Sequence, residues 1–169
     1  MMNSSKDQEI LGLVAQAEGL YHRLVLVVGP SGSGKTMVLN KLAMTSQWSF
    51  INLSLELSRA MLDLTERQRP LRVQKLLEEI VGATSGAVTV LDNTEILFDV
   101  SLKLDPLRLL QAISRDRTVV ASWNGLVANG YLTFASPEHQ EFKRYPSHEL
   151  LLSEIRGHAT SNGNKRIAQ

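Results

Sequence analysis

The chain has 169 residues, 43% hydrophobic and 21% charged, which suits one globular domain with a sizeable core and leaves too little for two. Lys and Arg number 18 against 17 Asp and Glu, so the net charge of +1 gives no global electrostatic case for nucleic acid or membrane binding. With no cysteine, a disulfide framework and thiolate metal sites are excluded, and a reducing cytoplasm is the expected setting. The start, MMNSSKDQEI, has no basic segment followed by an apolar one, so no secretory leader is expected. No apolar run approaches the roughly 18 residues of a membrane span.

In chain order, Ile10, Leu11, Val14 and Ala17 recur at helical spacing, predicting an amphipathic helix over 6–19 that Gly19 ends. Leu24–Val28 is short, continuous and β-branched, as a strand buried on both faces requires. A glycine-rich turn follows, then a helix from Gly34 or Lys35 through KTMVLNKLAMTS. Ser49–Leu53 reads as a strand and Leu55–Leu64 as a helix; RQRP at 67–70 breaks it before a second helical pattern over Val73–Val81. Residues 82–86 are a loop and 87–93, AVTVLDN, a buried strand. A helix over Leu107–Ile113 leads into a strand over Thr118–Trp123, with NGLVANG as a loop and 131–135 as a further strand. Pro137 and Pro146 bracket a polar stretch, SHELLLSEIRGH is expected as a last helix, and 159–169 as a loose tail. Strands alternating with helices predict an α/β domain whose mostly parallel sheet is covered on both faces. The organisation expected is an N-terminal helix over 1–20, a core over 21–146, and a C-terminal helix and tail over 147–169.

The turn at 29–36, GPSGSGKT, fits the pattern G-x-x-x-x-G-K-[ST] and lies between a predicted strand and a predicted helix, the context that gives the pattern meaning. Gly29, Gly32 and Gly34, with Ser31 and Ser33 between them, let backbone N–H groups approach phosphate oxygens, and the following helix aims its positive end at the same place. Lys35 supplies a point charge to the outer phosphates, and the Thr36 hydroxyl suits Mg²⁺. Asp92 ends the apolar run Val88–Leu91, so it belongs at the carboxyl edge of a strand, where it would hold the metal through water. The strand–helix unit over 49–81 leaves room for the arrangement in which an additional strand separates the two motifs. These features predict a three-layer P-loop NTPase of the additional-strand, AAA-like type that binds ATP with Mg²⁺ and has no separate lid domain.

Hydrolysis also needs a group that orients water. In many such ATPases a glutamate directly follows the metal-side Asp; here Asn93 stands there and the acid arrives at Glu95. Glu95 reads two ways: it reaches back if the chain turns at once, or it is a helix N-terminal acid stabilised by the dipole. Ser122 and Asn124 end the run TVVASWNG and offer a polar group that senses the terminal phosphate or the water, or simply a turn before Gly125. Arg115 and Arg117 suit a solvated helix end better than an arginine finger acting on a second subunit. Arg67, Arg69 and Arg72 form a short basic cluster, weak support for DNA contact in a near-neutral chain. The four histidines show no metal-ligand spacing. Trp48 and Trp123 read as core or interface. NKLA at 40 and NKRI at 164 lack the Asp of a guanine-reading N-K-x-D, and no LSGGQ-type signature is present. A small-molecule kinase stays open, although INLSLEL offers only Asn52 and Glu56 as its polar groups and RQRP is a poor lid.

The phrases LVLVVGPSGSGKT, INLSLELS, LTERQRPLR, VLDNTEILFD, DPLRLLQAISRDRTVVASWNG and GYLTFASPEH together make the chain resemble BrxF, the small P-loop protein family of BREX phage-defence systems, over most of 8–146. That resemblance implies a bacterial cytoplasmic protein working beside other BREX components, among them a larger ATPase, a DNA methyltransferase and a phosphatase-like protein. Gly29, Gly34, Lys35, Thr36 and Asp92 match its nucleotide and Mg²⁺ residues. The function expected is a slow or partner-activated ATPase or switch, activated by a partner or by a second copy of the chain. A non-hydrolysing assembly adaptor is the second reading and a kinase the third.

Overall fold

A computed structural model describes residues 4–134 and 143–156. The elements run α1 (Ser5–Ala17), β1 (Leu24–Gly29), α2 (Lys35–Ser46), β2 (Ser49–Asn52), α3 (Leu53–Ala60), α4 (Arg69–Gly82), β3 (Val88–Asp92), α5 (Pro106–Ile113), β4 (Thr118–Ala128), β5 (Tyr131–Phe134), β6 (Lys143–Pro146) and β7 (Leu151–Glu154). Two short 3-10 segments, Thr94–Phe98 and Val100–Leu102, stand between β3 and α5. The central sheet has the order β2-β3-β4-β1-β7, and all its pairings are parallel. Strand β4 therefore separates β1 from β3, the additional-strand arrangement expected from the spacing of the two motifs.

Alternation along β1 explains why its whole length is apolar. Val25 and Val27 face Ile10, Val14 and Ala17 of α1 and Leu39 and Leu42 of α2. Leu24, Leu26 and Val28 face the opposite layer, made by Leu53 and Leu57 of α3, Val73 and Leu77 of α4, and Leu110 of α5. Each fully buried aliphatic side chain contributes about 1.5–3 kcal/mol by leaving water. The start of α1 is fixed by a capping box between Ser4 and Asp7, and Asp7 also pairs with Lys41 of α2 at 3.1 Å, joining the two helices on that face.

Four expectations are corrected. Residues 124–130 were expected as a loop, because Asn124-Gly125 and Asn129-Gly130 both carry turn chemistry. Only the second pair turns: both residues have positive φ, 53° and 78°, as a two-residue hairpin connection requires. The first lies inside β4, which leaves the central sheet after Asn124 and pairs antiparallel with β5 from Gly125↔Phe134 to Ala128↔Tyr131. Gly125 is there for close approach, since a Cβ on it would come within 1.7 Å of the Thr133 carbonyl oxygen. The last helix, expected over 147–158, is instead strand β7, in register with β1 from Val25↔Leu151 to Val28↔Glu154. A short apolar run such as Leu150–Leu152 fits a helix stripe and a two-sided strand equally well. The free edge of β1 decides for the strand, with Leu151 packed toward α1 and Leu152 toward the other layer.

Third, the polar stretch before Pro146 contains β6, paired with β5. Fourth, the bounds of the two helices shift although a break separates them as expected: α3 ends at Ala60, and α4 begins at Arg69 rather than Val73, with Pro70 in its first turn, where the missing N–H is harmless. The tail over 159–169, with His158 and His139, lies outside the described residues.

Candidate nucleotide site

Three neighbouring parallel strands, β3, β4 and β1, run toward one edge of the central sheet, and each carries there a residue singled out in the sequence. Gly29 closes β1, Asp92 closes β3, and Asn124 stands on β4 in register with Gly29. Ligands bind at this edge in open α/β sheets.

After β1 the chain curls through Pro30–Ser33, the Ser33 N–H meeting the Pro30 carbonyl at 3.1 Å. Gly32 and Gly34 hold φ of 76° and 98°, values that favour glycine. A Cβ at Gly29 would lie 2.5 Å from the Ile155 carbonyl oxygen and 2.6 Å from Ser33 Oγ, so a larger residue would push the turn off β7. Gly34 caps α2 without a side chain, and the first turn of that helix holds no acid. Among the described residues no side chain caps its N–H groups, which suit a phosphate.

Lys35 folds back into this curl. Its Nζ donates to the Gly29 and Pro30 carbonyls, each at 2.8 Å, and lies 3.5 Å from Ser33 Oγ; the side chain is buried. Burial pushes the ammonium below its ordinary value of 10.5, and the Glu95 and Asp92 carboxylates pull it part of the way back. Thr36 Oγ1 donates to Asp92 Oδ2 at 2.6 Å, so the hydroxyl and carboxylate that would hold Mg²⁺ are already side by side. Mg²⁺ is commonly held by one or two carboxylates together with substrate phosphates. This donor set fits that habit, since among the described residues no three His, Asp or Glu side chains gather. Ser31 is exposed on the rim of the curl.

Glu95 and Asn124 are brought together. Asn93 takes a left-handed φ of 53°, the chain turns at once into a 3-10 segment, and Asn124 Nδ2 donates to Glu95 Oε1. Two hydroxyls brace this turn: Thr94 donates to the Ser122 carbonyl at 2.5 Å, and Ser54 of α3 to the Asn93 carbonyl at 2.7 Å. Sequence reasoning missed both braces. Thr94, almost fully buried, carries no signal in DNTE beyond its neighbours, and Ser54 reads as an ordinary helix start.

The remaining candidates lie elsewhere. Ser122 is buried in β4, and it is its carbonyl that takes part, through Thr94. Arg117 binds Thr84 and Thr89 at the amino end of β4, roughly 20 Å along the strand from Asn124, and Arg115 lies over the Tyr21 ring. Arg67 and Arg72 are exposed around the start of α4. His22 Nδ1 donates to the Gln111 carbonyl at 3.1 Å, a structural bond. Asn52 caps α3 through the Leu55 N–H at 3.3 Å, and Glu56 in the first turn pairs loosely with Arg59. Trp48 packs half-buried against the α1–α2 layer and Trp123 is fully buried.

Among solved structures the chain is similar to C. elegans PCH-2 at 15% identity, covering 92% of this chain and 44% of that one with a TM-score of 0.49. It is also similar to katanin, in a structure addressing katanin self-assembly, at 16% identity over 73% of this chain and 44% of that one, TM-score 0.42. AMPPCP-bound DnaA from Aquifex aeolicus is similar at 14% identity over 73% and 40%, TM-score 0.40. The chain thus spans less than half the length of each. No curated protein sequence matches it. Among the described residues no helix is long and apolar enough to cross a membrane. Residues 25–101, which carry both the phosphate turn and Asp92, match the family described as ATPase family associated with various cellular activities (AAA).

Proposed function

We propose that the chain binds ATP with Mg²⁺ and acts as a slow ATPase or nucleotide-dependent switch whose turnover rises when a partner or a second copy docks. One observation carries this reading: Lys35, Thr36, Asp92, Glu95 and Asn124 converge at the carboxyl ends of three adjacent strands, inside or directly against the segment that matches the AAA family. Gly29 through Thr36 would hold the phosphates, Lys35 leaving its two carbonyl partners for them. Thr36 and Asp92 would hold Mg²⁺, which when bound neutralises charge on the outer phosphates. Glu95 and Asn124 would orient the attacking water. The phrases shared with BrxF support a place in a bacterial phage-defence complex beside a larger ATPase, and the basic cluster at Arg67–Arg72 is the weaker support for DNA.

The slow turnover is argued from Glu95, whose carboxylate is engaged by Asn124 and arrives three residues after Asp92. The same engagement favours the second reading, an adaptor that binds nucleotide without splitting it. Calorimetry with Mg-ATP and Mg-GTP tests binding. Lys35→Ala removes a charge-assisted contact of about 1.5–3 kcal/mol, weakening Kd by about 10- to 150-fold. Turnover per subunit should rise with protein concentration or added partner and vanish in Glu95→Gln. Binding without turnover under every condition selects the adaptor, and no Lys35-dependent binding refutes both.

A further inference from the structure

Strands β5 and β6 take no part in the phosphate curl, yet they hold both sides of the Glu95–Asn124 pair. On the Asn124 side, the neighbouring Trp123 is fully buried and its indole N–H donates to the Thr133 carbonyl of β5 at 3.1 Å. Gly125, the other neighbour, lies against the same carbonyl. On the Glu95 side, Phe98 ends the 3-10 segment that carries Glu95, and its ring stacks on Phe134 of β5 with centroids 3.6 Å apart and planes 14° from parallel. Phe98 also meets Trp123 edge-on at 4.9 Å, so both sides join in one aromatic cluster. Tyr145 of β6 closes the cluster against Trp123 at 5.8 Å and donates its hydroxyl to Asp105 at the start of α5, at 3.0 Å.

We propose that the β5–β6 pair sets the geometry between Glu95 and Asn124, with Trp123 and Phe134 as positioning residues. Bending these strands then changes turnover and leaves nucleotide binding alone. The inference rests on the reading of Glu95 and Asn124 as the groups that act on water. The phosphate curl, by contrast, is built by β1 and α2, with the Ile155 carbonyl just after β7 lying against Gly29. A displacement of even about 1 Å at a water-orienting group costs up to about 100-fold in rate, so strands packed this closely on both supports are suited to regulate the site.

Phe134→Leu keeps an apolar side chain and removes the stacking. It is expected to lower kcat tenfold or more, on the order of the effect of misplacement, while Kd for Mg-ATP stays within about twofold. Val14→Ala, a core truncation on the opposite layer, serves as the control for general destabilisation and leaves kcat unchanged. A second readout does not need turnover. With Trp48→Phe, Trp123 is the single tryptophan, and Glu95→Ala should shift its emission in nucleotide-free protein, a shift that Phe134→Leu abolishes. The proposal is overturned if Glu95→Ala leaves Trp123 emission unchanged, or if Phe134→Leu alters kcat no more than Val14→Ala does. Should the wild type prove unable to split ATP, the hydrolytic reading fails and the emission experiment still decides the coupling.

Discussion

Replacing Gly125 by Ala puts the departure of β4 from the central sheet to a direct test. The added Cβ would sit 1.7 Å from the Thr133 carbonyl oxygen and 2.9 Å from its carbon, both backbone atoms of a paired strand that no rotamer change can move. One strand must shift, and the Trp123 indole bond to the same oxygen shifts with it. Overpacking of this kind costs about 1–3 kcal/mol, which in a chain of this size lowers Tm by about 2–12 °C. Gly12→Ala supplies the contrast. Gly12 lies inside α1, and a Cβ there would meet nothing within 4 Å beyond its own helix, so Ala gains about 0.5–1 kcal/mol of helix stability and raises Tm by about 1–4 °C. Thermal unfolding followed by circular dichroism reads both. Equal melting of Gly125→Ala and wild type would refute the placement of β5 against β4, because a loop at 124–130 would accept the methyl group.

Burial alone would raise the Asp7 carboxyl, but its bonds from Lys41 and Ser4 outweigh that and hold it below its ordinary 3.8. A depressed carboxylate stabilises the fold above the unfolded value and loses that contribution as pH falls through the folded one. Asp7→Asn should therefore cost about 1–2 kcal/mol at neutral pH, with the gap from wild type closing below 3.8 in urea titrations across pH. For Lys35 the sign is opposite. Its lowered value leaves part of the population neutral at alkaline pH below 10.5, and a bound polyphosphate restores the charge. Mg-ATP binding should then take up protons in that window, an uptake that Lys35→Ala removes, read by calorimetry in buffers of different ionisation enthalpy.

The sequence exposed most of the site and less of the frame around it. Gly29–Thr36 and Asp92 were legible because each role proposed for them forces a residue type: glycine for the curl, a cation and a hydroxyl after it, a carboxylate at the end of an apolar strand. The frame is set by tertiary competition instead. Leu150–Leu152 has no periodicity of its own that separates strand from helix, and the unpaired edge of β1 makes the choice. Asn124-Gly125 has the same letters as the true turn at Asn129-Gly130, and only the passing carbonyl of Thr133 tells them apart. The braces at Ser54 and Thr94 join residues 39 and 28 positions apart in sequence, separations that local pattern does not report.

The route by which Glu95 reaches the site bears on why turnover should depend on a partner. An acid directly after Asp92 would be fixed by the strand itself, whose backbone is held by β2 and β4 on either side. Here Asn93 occupies that place in a left-handed conformation, which Asn tolerates better than most side chains. The carboxylate then stands on a 3-10 segment, whose hydrogen bonding is poorer than that of a longer α-helix. Its orientation is accordingly borrowed from contacts outside the strand: the Thr94 and Ser54 hydroxyls, the Asn124 amide, and Phe98 packed on β5. The phosphate curl has no such dependence, since its shape follows from Gly29, Gly32, Gly34 and the edge formed with β7. On the proposed reading, the phosphate-binding shape is thus built into the sheet, while the geometry proposed to orient water rests on a more deformable layer above it, and that layer is the one a docking protein could adjust.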